Sequence, residues 1–464
     1  MTPSTLLKTS TGLLAASALA GCMQLAPRYE RPAAPVPATF PNATSVPSGT
    51  AAADLTWQDY FADPALRGVI ELALKNNRDL RIAMLNIDAV RAQYQLRRAD
   101  QLPTVNAGLT ASRAPGSSGN NVSAYSAGLS VAAYEVDLFG RVRSLTDSAA
   151  AQVLASEESR RVVQISLIAS VANQYLALAA DEELLDLTLR TLDTREQSLK
   201  LTQLRFDNGA ASELDLRQAQ TLAEAARVTL AQQRRQRELD RNALALLLGQ
   251  ALPEWPSAPG RVSAIALADV PAGVPSEVLL RRPDVAQAEQ QLVAANANIG
   301  AARAAFWPRI TLTASAGTAS TQLSDLFKDG AWSFAAQMLQ PIFDAGRNRA
   351  NLAVAEVQRD IAVAQYERAI QAAFRDVADA LAGRATLDDQ VRATQAQADA
   401  EQARYSLSEL RFRNGVSSSL ELLDAERSLF AVQQAVVQTQ LALLQNRVSA
   451  YRALGGGNLG AAGQ

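Results

Sequence analysis

The chain offers little to do chemistry with. Its 464 residues include no histidine and one cysteine, Cys22. Without histidine, no side chain exchanges a proton near neutral pH at its ordinary pKa, and Cys/His metal sites are excluded with it. A single cysteine closes no disulfide within the chain. Carboxylate, lysine or tyrosine catalysis remains chemically open, yet no cluster of these residues stands out and no nucleophile motif accompanies them. The 46 acidic and 44 basic residues leave a net charge of −2, so the basic face that nucleic-acid binding requires is missing. No metal or cofactor is expected.

Cys22 is the one residue placed for covalent modification. Residues 1–21 read as a secretory signal, with Lys8 ahead of the apolar run from Leu13 to Ala20. That run is too short to span a bilayer as a helix. Leu19-Ala20-Gly21-Cys22 resembles a bacterial lipobox, which makes Cys22 the first mature residue and the carrier of lipid. Buried acyl chains contribute roughly 0.8 kcal/mol per CH₂, enough for a multiply acylated terminus to hold a membrane. Met23, rather than Asp, follows the cysteine, and in lipoproteins that implies the outer membrane. Residues 22–60 then run as a lipidated, Pro-, Ala-, Thr- and Ser-rich extended segment.

The elements behind this segment are organised by a repeat. Leu204, Arg205, Phe206, Asn208, Gly209, Ser212, Leu214 and Leu216 return at a constant offset as Leu410, Arg411, Phe412, Asn414, Gly415, Ser418, Leu420 and Leu422. Each Asn-Gly reads as a helix-to-helix turn, with glycine in the left-handed conformation and Ser212 or Ser418 capping the next helix. Around these turns the spacing predicts repeat 1 over 61–249 and repeat 2 over 276–455. An irregular crossover over 250–275 joins them, and a disordered tail follows over 456–464.

Within repeat 1, residues 64–101 are helical with a break at Asn76-Asn77. Pro103 stops the helix, and the period switches from 3.6 to 2. Residues 104–134 form a hairpin, its strands over 104–112 and 122–134. Long proline-free helices follow over 140–207 and 212–248. The first carries a seven-residue seam of Val171, Leu178, Leu185, Leu192, Leu199 and Phe206. Repeat 2 has its hairpin over 309–340 and long helices over 346–412 and 418–454. The last carries the seam Leu423, Phe430, Val437, Leu444 and Tyr451. Asp137, Gly140, Arg141 and Arg143 find counterparts in Asp344, Gly346, Arg347 and Arg349.

The strands are about ten residues long, the length of a transmembrane β-strand, and alternate apolar with small polar residues. Four strands per chain cannot close a barrel, and open edges in lipid leave backbone groups unpaired. No transmembrane helix is read from the sequence, so several chains sharing one barrel is the favoured arrangement. A periplasmic coiled-coil structural lipoprotein without a pore is the alternative, although such a scaffold has no use for hairpins of this length. Tyr125, Tyr134, Trp332 and Phe334 serve either as girdle aromatics at the lipid boundary or as ordinary hairpin stabilisers.

Past Cys22 nearly the whole chain resembles the TolC-type outer-membrane efflux channels, most closely their lipidated NodT/OprM-like branch. The most specific stretch runs from Pro275 through Arg281-Arg282-Pro283-Asp284, then Ala288-Glu289, Ala294-Ala295-Asn296-Ala297, Ile299-Gly300 and Phe306-Trp307-Pro308. The turn Arg411-Phe412-Arg413-Asn414-Gly415 through Leu422-Leu423-Asp424-Ala425 is nearly as specific. The resemblance implies a mainly α protein with a β part: a trimeric α-helical barrel continued by a shared 12-stranded transmembrane β-barrel, four strands from each of three protomers. It implies no enzyme but a passive exit duct of a tripartite efflux system. Its partners are then a periplasmic adaptor, an inner-membrane pump and outer-membrane lipid. By the same match Leu420, Asp424 and Arg427 form an inward periplasmic gate, and the tips at Asn208, Gly209, Asn414 and Gly415 meet the adaptor. Spacings of four and three residues put the gate residues on one helix face. Leu420 then forms a dry constriction, and a ring of Asp424 carboxylates selects cations. An ordinary solvated Asp–Arg pair has the same spacing.

Overall fold

The computed structural model describes residues 24–41, 55–115, 119–252, 261–268 and 276–456. Cys22 and the signal lie outside the described residues, as does the tail from 457 onward. Helices α1 (Trp57–Tyr60), α2 (Pro64–Asn76) and α3 (Arg78–Ala99) lead to strands β1 (Val105–Pro115) and β2 (Asn121–Val136). Helices α4 (Arg141–Asp207) and α5 (Glu213–Leu248) follow. The second half supplies α6 (Pro283–Ala304), β3 (Arg309–Ser320), β4 (Gly330–Leu339), α7 (Arg347–Arg413) and α8 (Ser419–Ala453). The expected extended character of residues 22–60 fails at its end: Thr56 caps Asp59 N–H and a buried turn of helix forms at Trp57–Tyr60.

The chain divides into two compact units, each drawing on both halves of the sequence. The first comprises residues 1–34, 85–158 and 286–369. It holds one antiparallel sheet in the order β1-β2-β3-β4. The expected hairpins form, and β2 also pairs with β3 to fuse them. Register carries the alternation across all four strands. One face stacks Ala107, Leu129, Ala316 and Trp332 in a row, and Val105, Val131, Ala314 and Phe334 in the next. The other face stacks Asn106, Ser130, Ser315 and Ser333, with Thr110 and Ser126 hydroxyls 2.5 Å apart farther along. Gly128 and Gly317 face each other where β2 meets β3. A Cβ on either would sit 2.4 or 2.1 Å from a backbone oxygen of the opposite strand, so only glycine permits this approach. At the foot of the sheet Glu135 accepts from Arg141 at 2.8 Å and pairs with Arg309 at 2.7 Å. This ties β2 to β3 and to the start of α4.

A strap on this unit comes from residues 27–31. Arg31 makes a bidentate pair with Glu289 at 2.7 and 2.9 Å, and Tyr29 Oη donates to the same carboxylate at 3.0 Å. Asn296 Nδ2 donates to the Pro27 carbonyl at 2.8 Å.

The second unit comprises residues 35–84, 159–285 and 370–464. Its core is aromatic at one end, where Tyr60 stacks on Tyr451 with ring centroids 4.0 Å apart. The two hydroxyls donate to the carbonyls of Arg447 and Leu55. Arg282, from the Arg-Arg-Pro-Asp stretch, is buried. It forks onto Asp284 at 3.0 and 2.7 Å and donates to the Ala453 carbonyl at 2.7 Å, closing the end of α8. Along α8 the whole seam from Leu423 to Tyr451 is buried. Along α4 Val171, Leu178 and Leu185 are buried, but the seam opens toward its end, where Phe206 is exposed.

By length and composition α4 contains a stretch apolar enough to cross a bilayer, with a mean hydropathy of 1.5. Val171, Ala172, Tyr175 and Leu176 of the same helix are almost fully buried in the second unit. Close helix packing accounts for that hydropathy.

Candidate functional site

The two Asn-Gly turns fold alike because both obey the same capping arithmetic. Gly209 and Gly415 each adopt φ of 71°. Ala210 N–H donates to the Arg205 carbonyl and Gly209 N–H to that of Phe206; Val416 and Gly415 repeat this onto Arg411 and Phe412. This is the Schellman pattern. Asn208 and Asn414 close the carbonyls of Leu204 and Leu410 with their side-chain amides, at 2.6 and 2.7 Å. The helices after the turns start differently. Ser212 and Asp215 form a reciprocal capping box. Ser418 occupies the N-cap position without a side-chain cap hydrogen bond, so its expected capping role fails. Ser419 instead donates to Asp215 across to the first turn. These hydrogen bonds to Ser212, and then to Ser419, hold the Asp215 carboxyl below its ordinary pKa.

The structure brings the two turns side by side. The Arg205 guanidinium lies 5.0 Å above the Phe412 ring, a cation–π contact between copies of one repeated motif. Leu204, Leu214, Leu410, Val416 and Leu420 are all exposed around them. The tips thus present paired, rigid turns within an apolar collar.

Leu420, Asp424 and Arg427 occupy one exposed face near the start of α8, as their spacing predicts. Asp424 is not a free carboxylate in the isolated chain. Arg404 of α7 reaches it at 3.5 Å and Arg427 at 3.9 Å. With side chains about half exposed, such pairs contribute little to stability, ~0–1 kcal/mol each. Their consequence is electrostatic: any acidic ring built from Asp424 is partly balanced by arginines already beside it.

The four aromatics singled out from the sequence all fall on the apolar face of the sheet. Tyr125 and Tyr134 lie toward opposite ends of β2, and Trp332 and Phe334 pair with Ala316 and Ala314 of β3. Tyr134 Oη donates to the Gln101 carbonyl at 3.1 Å. β1 and β4 each leave one edge without a strand partner among the described residues.

Sequence reasoning missed three buried charges, Asp181, Arg195 and Glu426. A signal for them exists. Counting three residues on from Leu178, Leu185 and Leu192 gives Asp181, Thr188 and Arg195. The same step from Leu423, Phe430 and Val437 gives Glu426, Gln433 and Gln440. Polar residues thus fill the second seam position of both heptad patterns, where apolar ones belong. Burial pushes the Asp181 carboxyl up to about 8, helped by a hydrogen bond with Asp240.

The described residues include no group of three or more carboxylates or cysteines that could hold a metal ion. Against known proteins, the family described as outer membrane efflux protein matches residues 69–250 and 274–456. The probable efflux pump outer membrane protein TtgC of Pseudomonas putida is 48% identical over 453 residues, covering 95% of this chain and 93% of the relative. Outer membrane protein OprJ of Pseudomonas aeruginosa is 46% identical, with 96% and 95% covered. Among solved structures, the open state of the MtrE outer membrane channel of Neisseria gonorrhoeae superimposes with a TM-score of 0.87. It is 43% identical, with 94% of this chain and 98% of that chain covered.

Proposed function

The chain belongs to the outer membrane efflux protein family and is the outer-membrane channel of an efflux pump, and from that premise we propose how it works. Three copies close one barrel, each contributing its four-stranded sheet, and the duct conducts passively. The observation that carries this reading is the sheet itself. It has one apolar face, one polar face and, among the described residues, two unpaired edges. In hydrocarbon, unpaired backbone groups cost several kcal/mol each, so the edges must be met by other copies. An apolar face then meets lipid and a polar face lines the water-filled lumen.

The other assignments belong to the same proposal. Cys22 carries lipid, and the docked strap that begins at Gln24 fixes the anchored end against the first unit. Leu420, Asp424 and Arg427 form the periplasmic gate. The paired tips at Asn208-Gly209 and Asn414-Gly415, with their apolar collar, receive a periplasmic adaptor that links the duct to an inner-membrane pump. The pump chooses the cargo.

Purified from outer membranes in detergent, the protein is expected to run as a trimer when unheated, to dissociate on heating and to conduct ions in planar bilayers. A water-soluble monomer without conductance would end this reading.

A further inference from the structure

We propose that Ile342 and Phe343, just past the end of β4, are the seat on which the next copy of the chain docks through Leu102, at the entry to its β1. The inference rests on the ring of three copies proposed above and names a contact that joins one copy to the next. Every residue it uses lies within the first unit.

Among the described residues, Ile342 and Phe343 are the most exposed large apolar side chains, at 91% and 90%. Two in succession, left open to water, mark an interaction surface. The backbone that carries them is held at both ends. Gln340 Nε2 donates to the Phe306 carbonyl at 3.0 Å. Asp344 accepts from Gly346 N–H at 3.0 Å and from Asn348 N–H at 2.9 Å, and Asn348 Nδ2 donates to the Ala305 carbonyl at 3.0 Å. The segment is ordered before any partner arrives, so docking costs it little conformational entropy.

The occupant follows from register. β1 and β4 are the outer strands of the sheet. Leu339 pairs with Arg309, Ile310 with Val136, and Val131 with Val105, so the end of β4 and the start of β1 lie at the same end of the sheet on opposite edges. In a ring the β4 edge of one copy meets the β1 edge of the next, head to tail and antiparallel. The two strands have 10 and 11 residues. Pairing them along their whole length sets Leu339 against Val105 or Asn106, and counting on places Ile342 or Phe343 opposite Leu102. Leu102 and Val105 are exposed in their turn. The helices behind the two edges carry the same mark. Val354, Val357 and Ile361 are exposed on one face of α7, which follows β4, and Leu96 is exposed on α3, which precedes β1. Lipid accounts for an apolar face of the sheet. An apolar border that recurs at both open edges, and runs on into α3 and α7, fits a second copy.

The test is disulfide trapping of the full-length protein in outer-membrane vesicles. Leu102→Cys is combined with Ile342→Cys in one variant and with Phe343→Cys in another, one for each register. A disulfide needs Cα atoms within about 7 Å, which directly opposed strand ends supply. After mild oxidation and boiling without reductant, one of the two variants is expected to shift from the single-chain band to bands of two and three chains. Cys22 is the one natural cysteine, so the parent and the single-cysteine variants serve as blanks. Unheated oligomer in both double variants without a covalent ladder overturns the proposal and leaves the ring standing. An equal ladder from Leu102→Cys alone overturns it too, because two like edges have then met. Phe343→Trp, which keeps an aromatic ring, decides the matter where the cysteine variants fail to assemble. Its added fluorescence should be shielded from acrylamide and from brominated lipid alike, and quenching by either overturns the proposal. A parent protein that forms no oligomer removes the ring, and this contact with it.

Discussion

Replacing Leu129 by arginine should block assembly of the duct, while the same change at its neighbour Ser130 should not. Both residues lie mid-strand in β2, one on the apolar row with Ala107, Ala316 and Trp332, the other on the polar row with Asn106, Ser315 and Ser333. The same arginine enters at adjacent positions of one strand, and Ser130→Arg adds the larger volume, so a greater loss at Leu129 reports on the face rather than on side-chain size. An arginine on the lipid side of a barrel costs ~2–4 kcal/mol near the bilayer midplane. With three copies in the proposed barrel, that becomes ~6–12 kcal/mol per assembly. An arginine on the lumen side reaches water and should cost less than ~1 kcal/mol. The assay is the fraction of unheated, SDS-resistant oligomer in outer-membrane fractions, with urea midpoints in vesicles for quantity. Leu129→Arg should leave little oligomer, and Ser130→Arg should resemble the parent with altered conductance. Equal losses in both, or a larger loss at Ser130, would refute the assignment of faces.

Other outcomes follow from individual contacts. Asp181→Asn should flatten the dependence of thermal stability on pH. The Asp181 carboxyl is raised from 3.8 to about 8, so its contribution is full below pH 4 and is lost as pH rises toward 8. That loss has a ceiling of ~1.4 kcal/mol per pH unit, and the amide variant lacks it; parallel melting curves against pH would count against a raised Asp181 carboxyl. Asp424→Ala should lower cation preference in planar bilayers because Arg404 and Arg427 lose their counter-charge; unchanged reversal potentials would remove it from the gate. Arg282→Ala should lower unfolding stability by ~3 kcal/mol, since the Ala453 carbonyl and Asp284 lose a buried partner, and Arg282→Lys should restore only part, lacking the fork. Gly209→Ile with Gly415→Ile meets no steric obstacle from neighbouring atoms but forces a branched residue to φ of 71°; export should fall while the oligomer remains, and normal export would place adaptor contact elsewhere.

Much of this protein is legible without coordinates because its signals are local. Helices stop at prolines and at Asn-Gly, strands show their period of two, and Ser212 with Asp215 spells a capping box within four residues. The missing histidine removes whole classes of chemistry before any fold is known. Where local spelling is alike, outcomes still differ: Ser418 matches Ser212 in the repeat yet makes no side-chain cap, and its neighbour Ser419 hydrogen-bonds Asp215 of α5. The compact units also cut across the sequence repeats, since each collects segments from both halves.

The sequence by itself determined the helices, the strands and the two equivalent turns, and its lack of histidine ruled out imidazole chemistry. Only the tertiary structure decided that β2 pairs with β3, and that Gly128 meets Gly317 so closely that the hairpins become one two-faced sheet. It alone placed Arg205 over Phe412 and buried the charges of Arg195 and Glu426. The reason is range. Capping, period and turn preference act over a few neighbouring residues. Pairing between strands and the burial of a charge depend on groups about two hundred positions away, whose approach no local pattern records.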